Sequence, residues 1–153
     1  MSLDSQNEHQ PAPRILALDL GKRRIGLAVS DALGITAQGL PTFVRTTIRE
    51  DMARMAALAK DLEIGRFLIG YPLHMSGRES RQAAYVREFG DRLAGHTGLP
   101  VEYLDERLTT VEATRVLKES GISIQKRAAA VDRLSAVILL ESYLGRAEHQ
   151  ALS

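Results

Sequence analysis

Apolar and polar positions follow two different periods along this chain, and the changes between them mark out its elements. Ile15-Leu16-Ala17-Leu18 is a short apolar run that stops at Asp19. The polar turn Gly21-Lys22-Arg23-Arg24 follows, and Ile25-Gly26-Leu27-Ala28-Val29 is a second apolar run. Two such runs around a glycine-containing turn predict a β-hairpin. A third strand is expected from Ile35 towards Val44, where Gly39 and Pro41 demand an edge position or a bulge. The period then lengthens. Thr47 and Glu50 have the spacing of a helix capping box, and Ile48, Met52, Met55, Ala59 and Leu62 recur as one helical stripe. Arg66-Phe67-Leu68-Ile69-Gly70 reads as a buried strand, and Ala83, Val86, Phe89 and Leu93 mark a second helix that ends between Gly95 and Gly98. Val101-Glu102-Tyr103-Leu104 is the fifth strand. Thr109-Thr110-Val111-Glu112 repeats the capping spacing and predicts a third helix, stopping at Ser120-Gly121. A last helix is expected from about Ala128 to Leu144.

A hairpin-built half followed by alternating strands and helices predicts an α/β fold: one five-stranded mixed sheet with helices on both faces. The polar, proline-containing residues 1–13 read as a disordered arm, residues 14–145 as one domain and residues 146–153 as a C-terminal tail.

Composition narrows the function classes. A chain of 153 residues with 44% hydrophobic and 25% charged positions reads as one ordinary globular domain. The start is too polar for a signal peptide and no apolar run is long enough to span a bilayer, so a cytoplasmic protein without membrane partners is expected. Cysteine is absent, which excludes disulfides and thiolate metal sites. The formal net charge is +1, so a nucleic-acid surface has to come from local clustering.

Three acidic positions interrupt hydrophobic contexts. Asp19 ends the first strand, Asp105 and Glu106 end the fifth, and Asp132 shares a small apolar helix face with Ser135, Ala136 and Leu139. An acid on a packing face has to be paired or bound to a metal, because a lone buried carboxylate is costly. Carboxylates gathered from two strand ends and a helix suit Mg²⁺ or Mn²⁺ rather than Zn²⁺, and a pair of such ions suits phosphodiester cleavage. Each acid also has a plainer reading. Asp19 before a glycine can be a turn residue, Asp105-Glu106-Arg107 an exposed loop, and Asp132 a surface partner of Arg127 or Arg133. Basic residues stand beside the acids: Lys22, Arg23, Arg24, Arg78, Arg81, Arg107, Lys126 and Arg127 are candidates for phosphate contacts.

The chain resembles the YqgF or RuvX family, which is associated with pre-16S ribosomal RNA processing and is similar to Holliday-junction resolvases. The resemblance covers Arg14 to about Leu144. It is carried by Leu18-Asp19-Leu20-Gly21, Arg24-Ile25-Gly26-Leu27-Ala28-Val29-Ser30-Asp31, Ile69-Gly70-Tyr71-Pro72-Leu73 with Ser76-Gly77, Asp105-Glu106-Arg107-Leu108-Thr109-Thr110, and Val131-Asp132. It implies a ribonuclease H-like fold and a two-metal nuclease site with Asp19 and Asp132 as ligands. Asp105 and Glu106 point to opposite faces of a continuing strand. Glu106 is favoured as the third ligand for its longer reach, with Asp105 as the alternative. Residue 135 is Ser, which sets the chain apart from a resolvase tetrad. The expected partner is structured RNA, or branched DNA if the protein resolves junctions. It acts as a monomer or homodimer in these readings. A non-catalytic RNA-binding factor is the reading from another class.

Overall fold

The computed structural model of the chain describes residues 13–72, 80–106 and 125–152, the side chains of the last stretch for 131–146. Five strands are present: β1 (Arg14–Leu20), β2 (Arg24–Ser30), β3 (Ala37–Val44), β4 (Ile64–Tyr71) and β5 (Val101–Asp105). Among the described residues three helices accompany them: α1 (Ile48–Asp61), α2 (Arg81–Thr97) and α3 (Gln125–Leu152). The helix expected at 109–120 lies outside the described residues.

The strands form one sheet in the order β3-β2-β1-β4-β5. β2 runs antiparallel to β1 and β3, whereas β4 runs parallel to β1 and β5. The sheet is therefore mixed, with the hairpin half at one side and the crossover half at the other. β3 is an edge strand, and its register with β2 shifts between Ile25 and Leu27, opposite Pro41. A proline is tolerated there because the ladder is already broken.

Side chains alternate between the faces. Leu16, Leu18 and Leu20 of β1 pack with Ile25 and Leu27 of β2 and Phe67 and Ile69 of β4 on one face. Met52, Met55 and Ala59 of α1 and Val86, Phe89 and Leu93 of α2 cover that face. On the other face Ala17, Ala28, Leu68 and Leu104 receive Ala136, Leu139, Leu140 and Leu144 of α3. The second face carries smaller residues near its centre, since Ala17 pairs with Ala28. A single helix can thus lie close to the sheet.

Capping bears out the helix starts. Thr47 accepts the Glu50 N–H at 3.2 Å, and Ser80 accepts the Ala83 N–H at 3.0 Å. α3 is longer than its apolar pattern predicts, beginning before Ala128 and continuing to Leu152 through the residues read as a tail. The apolar stripe fades after Leu144, but Ala147, Glu148 and Gln150 are good helix formers, so propensity carries the helix past its packing face. Among the described residues no helix is long and apolar enough to cross a membrane.

Candidate functional site

Asp19 lies near the C-terminal end of β1, one residue on from Leu18, which pairs with Ile69 of β4. By alternation it shares the α3 face with Ala17. Only 3% of it is exposed. Its neighbour on β2 is Gly26, and the parallel register carried one residue on brings Gly70 of β4 to its other side. Both neighbours lack side chains, and both spaces are filled by the other acids. A Cβ on Gly26 would overlap the backbone carbonyl of Asp132, and a Cβ on Gly70 would overlap the carboxyl group of Glu106. Glycine is required at position 26, where the backbone of α3 approaches the sheet that closely, whereas at position 70 the space is taken by the end of a side chain.

Glu106 follows β5 and is 1% exposed. It has the parity of Glu102 and Leu104, and Leu104 belongs to the core beneath α3. Asp105 has the opposite parity and is only half-buried, next to Tyr71 in the β4–β5 register. Glu106 therefore shares the face of Asp19, and Asp105 does not. Asp132 is fully buried on α3, on the side that carries Ser135, Ala136 and Leu139. Ser135 is buried too, and its hydroxyl donates to the Val131 carbonyl at 2.9 Å. The position expected of a fourth carboxylate is thus a helix-bonded hydroxyl.

Of the plainer partners of Asp132, the Arg127 side chain lies outside the described residues, and Arg133 points elsewhere. Arg133 is exposed and its Nε donates to the Leu40 carbonyl at 3.1 Å, tying α3 to the edge strand. Asp132 Oδ2 instead lies 3.1 Å from Nε of Arg24, the first residue of β2. Of the other basic candidates, Lys22 and Arg23 are exposed in the β1–β2 turn beside Asp19, and Arg81 is exposed at the start of α2. Ser80 Oγ donates to the Pro72 carbonyl and Gln82 Nε2 to the Leu20 carbonyl, which holds that helix start at the same end of the sheet. Arg78 and Arg107 lie outside the described residues, as do the side chains of Lys126 and Arg127.

Sequence reasoning passes over the support of this end. Arg45 Nη1 donates to the Gly21 carbonyl at 3.1 Å, while its Nε donates to Asp51 Oδ2 at 3.3 Å. The turn next to Asp19 is thereby fastened to α1. The available signal was Asp51 itself, which stands on the stripe with Ile48 and Met55 and is fully buried. On the α3 face, Arg66 Nη1 donates to Glu102 Oε1 at 2.6 Å and to the Tyr143 hydroxyl at 3.0 Å, linking β4, β5 and α3. The Tyr143 bond raises the Arg66 pKa, and burial pushes the Tyr143 hydroxyl upward.

Three buried carboxylates offer a divalent ion oxygen donors alone, the preference of Mg²⁺ and Mn²⁺. The two glycines provide the close approach that such a site needs. Among the described residues no three His, Cys, Asp or Glu side chains already converge as a metal-binding group. Asp132 faces Arg24 instead. The donor chemistry fits the ions, while the Asp132 carboxylate faces a cation of the protein.

A mixed sheet in this order, with acids from two strand ends and a closing helix on one face, defines the ribonuclease H-like class. Solved structures agree on the fold. Thermus thermophilus RuvC in complex with a Holliday junction substrate superimposes with a TM-score of 0.54 at 15% identity, covering 89% of this chain and 96% of that one. A second structure of RuvC from Thermus thermophilus gives 0.52 at 14% identity, covering 88% and 96%.

The family model described as "RuvX: Holliday junction resolvase" matches residues 13–146, and the chain belongs to that family. A relative from Koribacter versatilis is 53% identical over 133 residues, 87% of each chain, and carries the name "Putative pre-16S rRNA nuclease". One from Syntrophus aciditrophicus is 45% identical over 131 residues, 86% of this chain and 87% of its own, and carries the same name.

Proposed function

We propose that this protein is a divalent-metal-dependent endonuclease that hydrolyses phosphodiester bonds of precursor 16S rRNA, at its 5′ end, in the cytoplasm. The observation that carries the reading is the burial of three acids, Asp19, Glu106 and Asp132, on the α3 side of the sheet near the end of β1, with glycine on both sides of Asp19. Three acids gathered where water is excluded cost stability unless they serve a cation. The names of the relatives supply the substrate.

Asp19, Glu106 and Asp132 would hold Mg²⁺ or Mn²⁺, with Asp19 central between the other two. Such ions supply an activated water and stabilise the charge on the leaving oxygen. The protein's own groups do the rest. Lys22 and Arg23 in the turn beside Asp19 and Arg81 at the start of α2 are exposed cations for the backbone of the nucleic acid. Arg78, Arg107, Lys126 and Arg127 are assigned to the same surface on their sequence positions. Water attack in line with the departing 3′ oxygen leaves a 5′-phosphate and a 3′-hydroxyl.

The test compares precursor rRNA, single-stranded RNA and four-way DNA junctions as substrates, each with Mg²⁺ or Mn²⁺, for the wild type and Asp19→Asn. Metal-dependent cutting of the precursor by the wild type, lost in a folded Asp19→Asn protein, is expected. Preferential cutting of the junction would make the protein a resolvase. RNA binding without any hydrolysis would make it a binding factor and overturn the proposal.

A further inference from the structure

We propose that Arg24 is the resident counter-cation of Asp132 and a divalent ion is its alternative partner, so that ion uptake releases Arg24 towards the phosphates of the bound nucleic acid. The inference rests on the metal-dependent reading above and deepens it. It assigns to one arginine the coupling between ion loading and backbone binding.

The two ends of the ion pair differ in environment. Asp132 has no exposed side-chain surface, whereas 32% of the Arg24 side chain is exposed. The guanidinium group therefore stands between a buried acid and solvent. The backbone on either side of it is pinned: Gly21 N–H donates to the Arg24 carbonyl at 3.0 Å, and Arg45 N–H to the Arg23 carbonyl at 2.9 Å. What can move is the side chain. Arg24 belongs to the parity of Gly26 and Ala28 and so starts on the α3 face, one residue beyond the exposed pair Lys22 and Arg23.

Charge sets the direction of the exchange. Three carboxyl groups share this end of the sheet, and Arg24 is a cation in contact with one of them. A buried carboxylate needs a cation, and either partner serves. Once a divalent ion meets the acids, the guanidinium becomes a like charge in a poorly screened site and is repelled. Its exposed portion gives it a route outwards, where a planar fork of donors matches a phosphate. A permanently solvent-facing arginine would bind RNA equally well with and without the ion. One held on Asp132 would not.

The experiment titrates Mn²⁺ by calorimetry into EDTA-stripped, dialysed wild-type, Arg24→Gln and Arg24→Lys proteins, with thermal unfolding followed in EDTA and in Mn²⁺. Arg24→Gln is expected to unfold at lower temperature in EDTA yet bind Mn²⁺ more tightly, by about 5- to 150-fold, the range of ordinary coupling between two ligands. Arg24→Lys keeps the charge and stays close to the wild type. A lowered unfolding temperature with unchanged or weaker Mn²⁺ binding makes Arg24 a structural residue and overturns the exchange. If wild type and variants all fail to bind Mn²⁺, the metal-dependent reading falls and takes this one with it. A second measurement needs no variant to fold: in wild-type protein the Arg24 Nε–H NMR signal should move towards that of the exposed Arg23 at saturating Mg²⁺. A signal that stays where it stands in EDTA overturns the proposal.

Discussion

Asp51 on α1 and Asp132 on α3 are both fully buried, and both face an arginine from the hairpin half of the sheet. Their surroundings nevertheless differ in kind. Asp51 accepts from the Thr46 N–H at 3.0 Å and from Arg45 Nε at 3.3 Å. Arg45 lies 5.3 Å from the ring centres of both Tyr85 and Phe89, is bonded to the Gly21 carbonyl, and exposes only 11% of its side chain. Every group there has a fixed place, and no second acid of the site stands beside it. Asp132 has an arginine that reaches solvent, with Asp19 and Glu106 at the same end of the sheet. A closed pair specifies structure, and an open pair next to other acids leaves a charge to be reassigned. Burial of an aspartate alone does not distinguish the two.

The crosswise exchange of the pairs separates them most sharply. Asp132→Asn is expected to remove cleavage of precursor rRNA altogether while changing unfolding free energy by no more than about 1 kcal/mol, because Arg24 can rehydrate. Arg45→Ala is expected to destabilise the protein by roughly 3–5 kcal/mol, since it leaves Asp51 buried without its cation. Folded Arg45→Ala protein should retain metal-dependent cleavage at low temperature. Urea unfolding beside a cleavage assay checks both. A stable Arg45→Ala protein, or an Asp132→Asn protein that still cuts, would erase the distinction.

The two glycines beside Asp19 give a smaller effect. In Gly26→Ala the new methyl group meets backbone, the carbonyl of Asp132, and α3 has to lift from the sheet. Overpacking of this kind costs about 1–3 kcal/mol. In Gly70→Ala it meets the end of the Glu106 side chain, which can swing away. Gly70→Ala should therefore fall within about 1 kcal/mol of the wild type in stability, as a relieved overpacking, and lose cleavage through a displaced acid. Calorimetric melting and a cleavage time course distinguish these outcomes. Equal stability losses in the two variants would mean that Glu106 is as rigidly held as the helix backbone.

Much of the fold was legible because alternation and helical spacing are strong over these segments. The hairpin, the edge strand broken at Pro41 and the stripes of α1 and α2 all follow from it. So does the burial of Asp19 and Asp132, each an acid on an otherwise apolar face. That Asp105 and Glu106 take opposite faces was legible from the strand, and reach alone favoured Glu106; which of them shares the face of Asp19 depends on Leu104 packing beneath α3. Arg24 as the partner of Asp132 was not legible. Local sequence offers Arg127 or Arg133, whereas Arg24 comes to Asp132 through the register of β1 and β2 and the contact of α3 with Gly26. Asp51 was legible and passed over, since the stripe argument that singles out Asp132 applies equally to it.

A third aspartate tests the comparison from the exposed side. Asp31, just after β2, accepts from the N–H groups of Ile35 at 2.7 Å and Thr36 at 3.1 Å, and these bonds hold its pKa below the usual 3.8. It belongs with Asp51 as a structural acid, although it is open to solvent. A carboxyl group whose folded pKa is lowered contributes stability that is present above its unfolded pKa and lost as pH falls through the folded value. Asp31→Asn keeps an acceptor oxygen but no charge, so the stability gap between wild type and variant should be constant from neutral pH down to about pH 5 and close below about pH 4. Thermal unfolding followed by circular dichroism across that range measures it, and the effect is the smallest of those predicted because the group is only partly buried. A gap that stays constant at low pH would show that the loop is held by the acceptor geometry alone, and cleavage should be unaffected at neutral pH in either case.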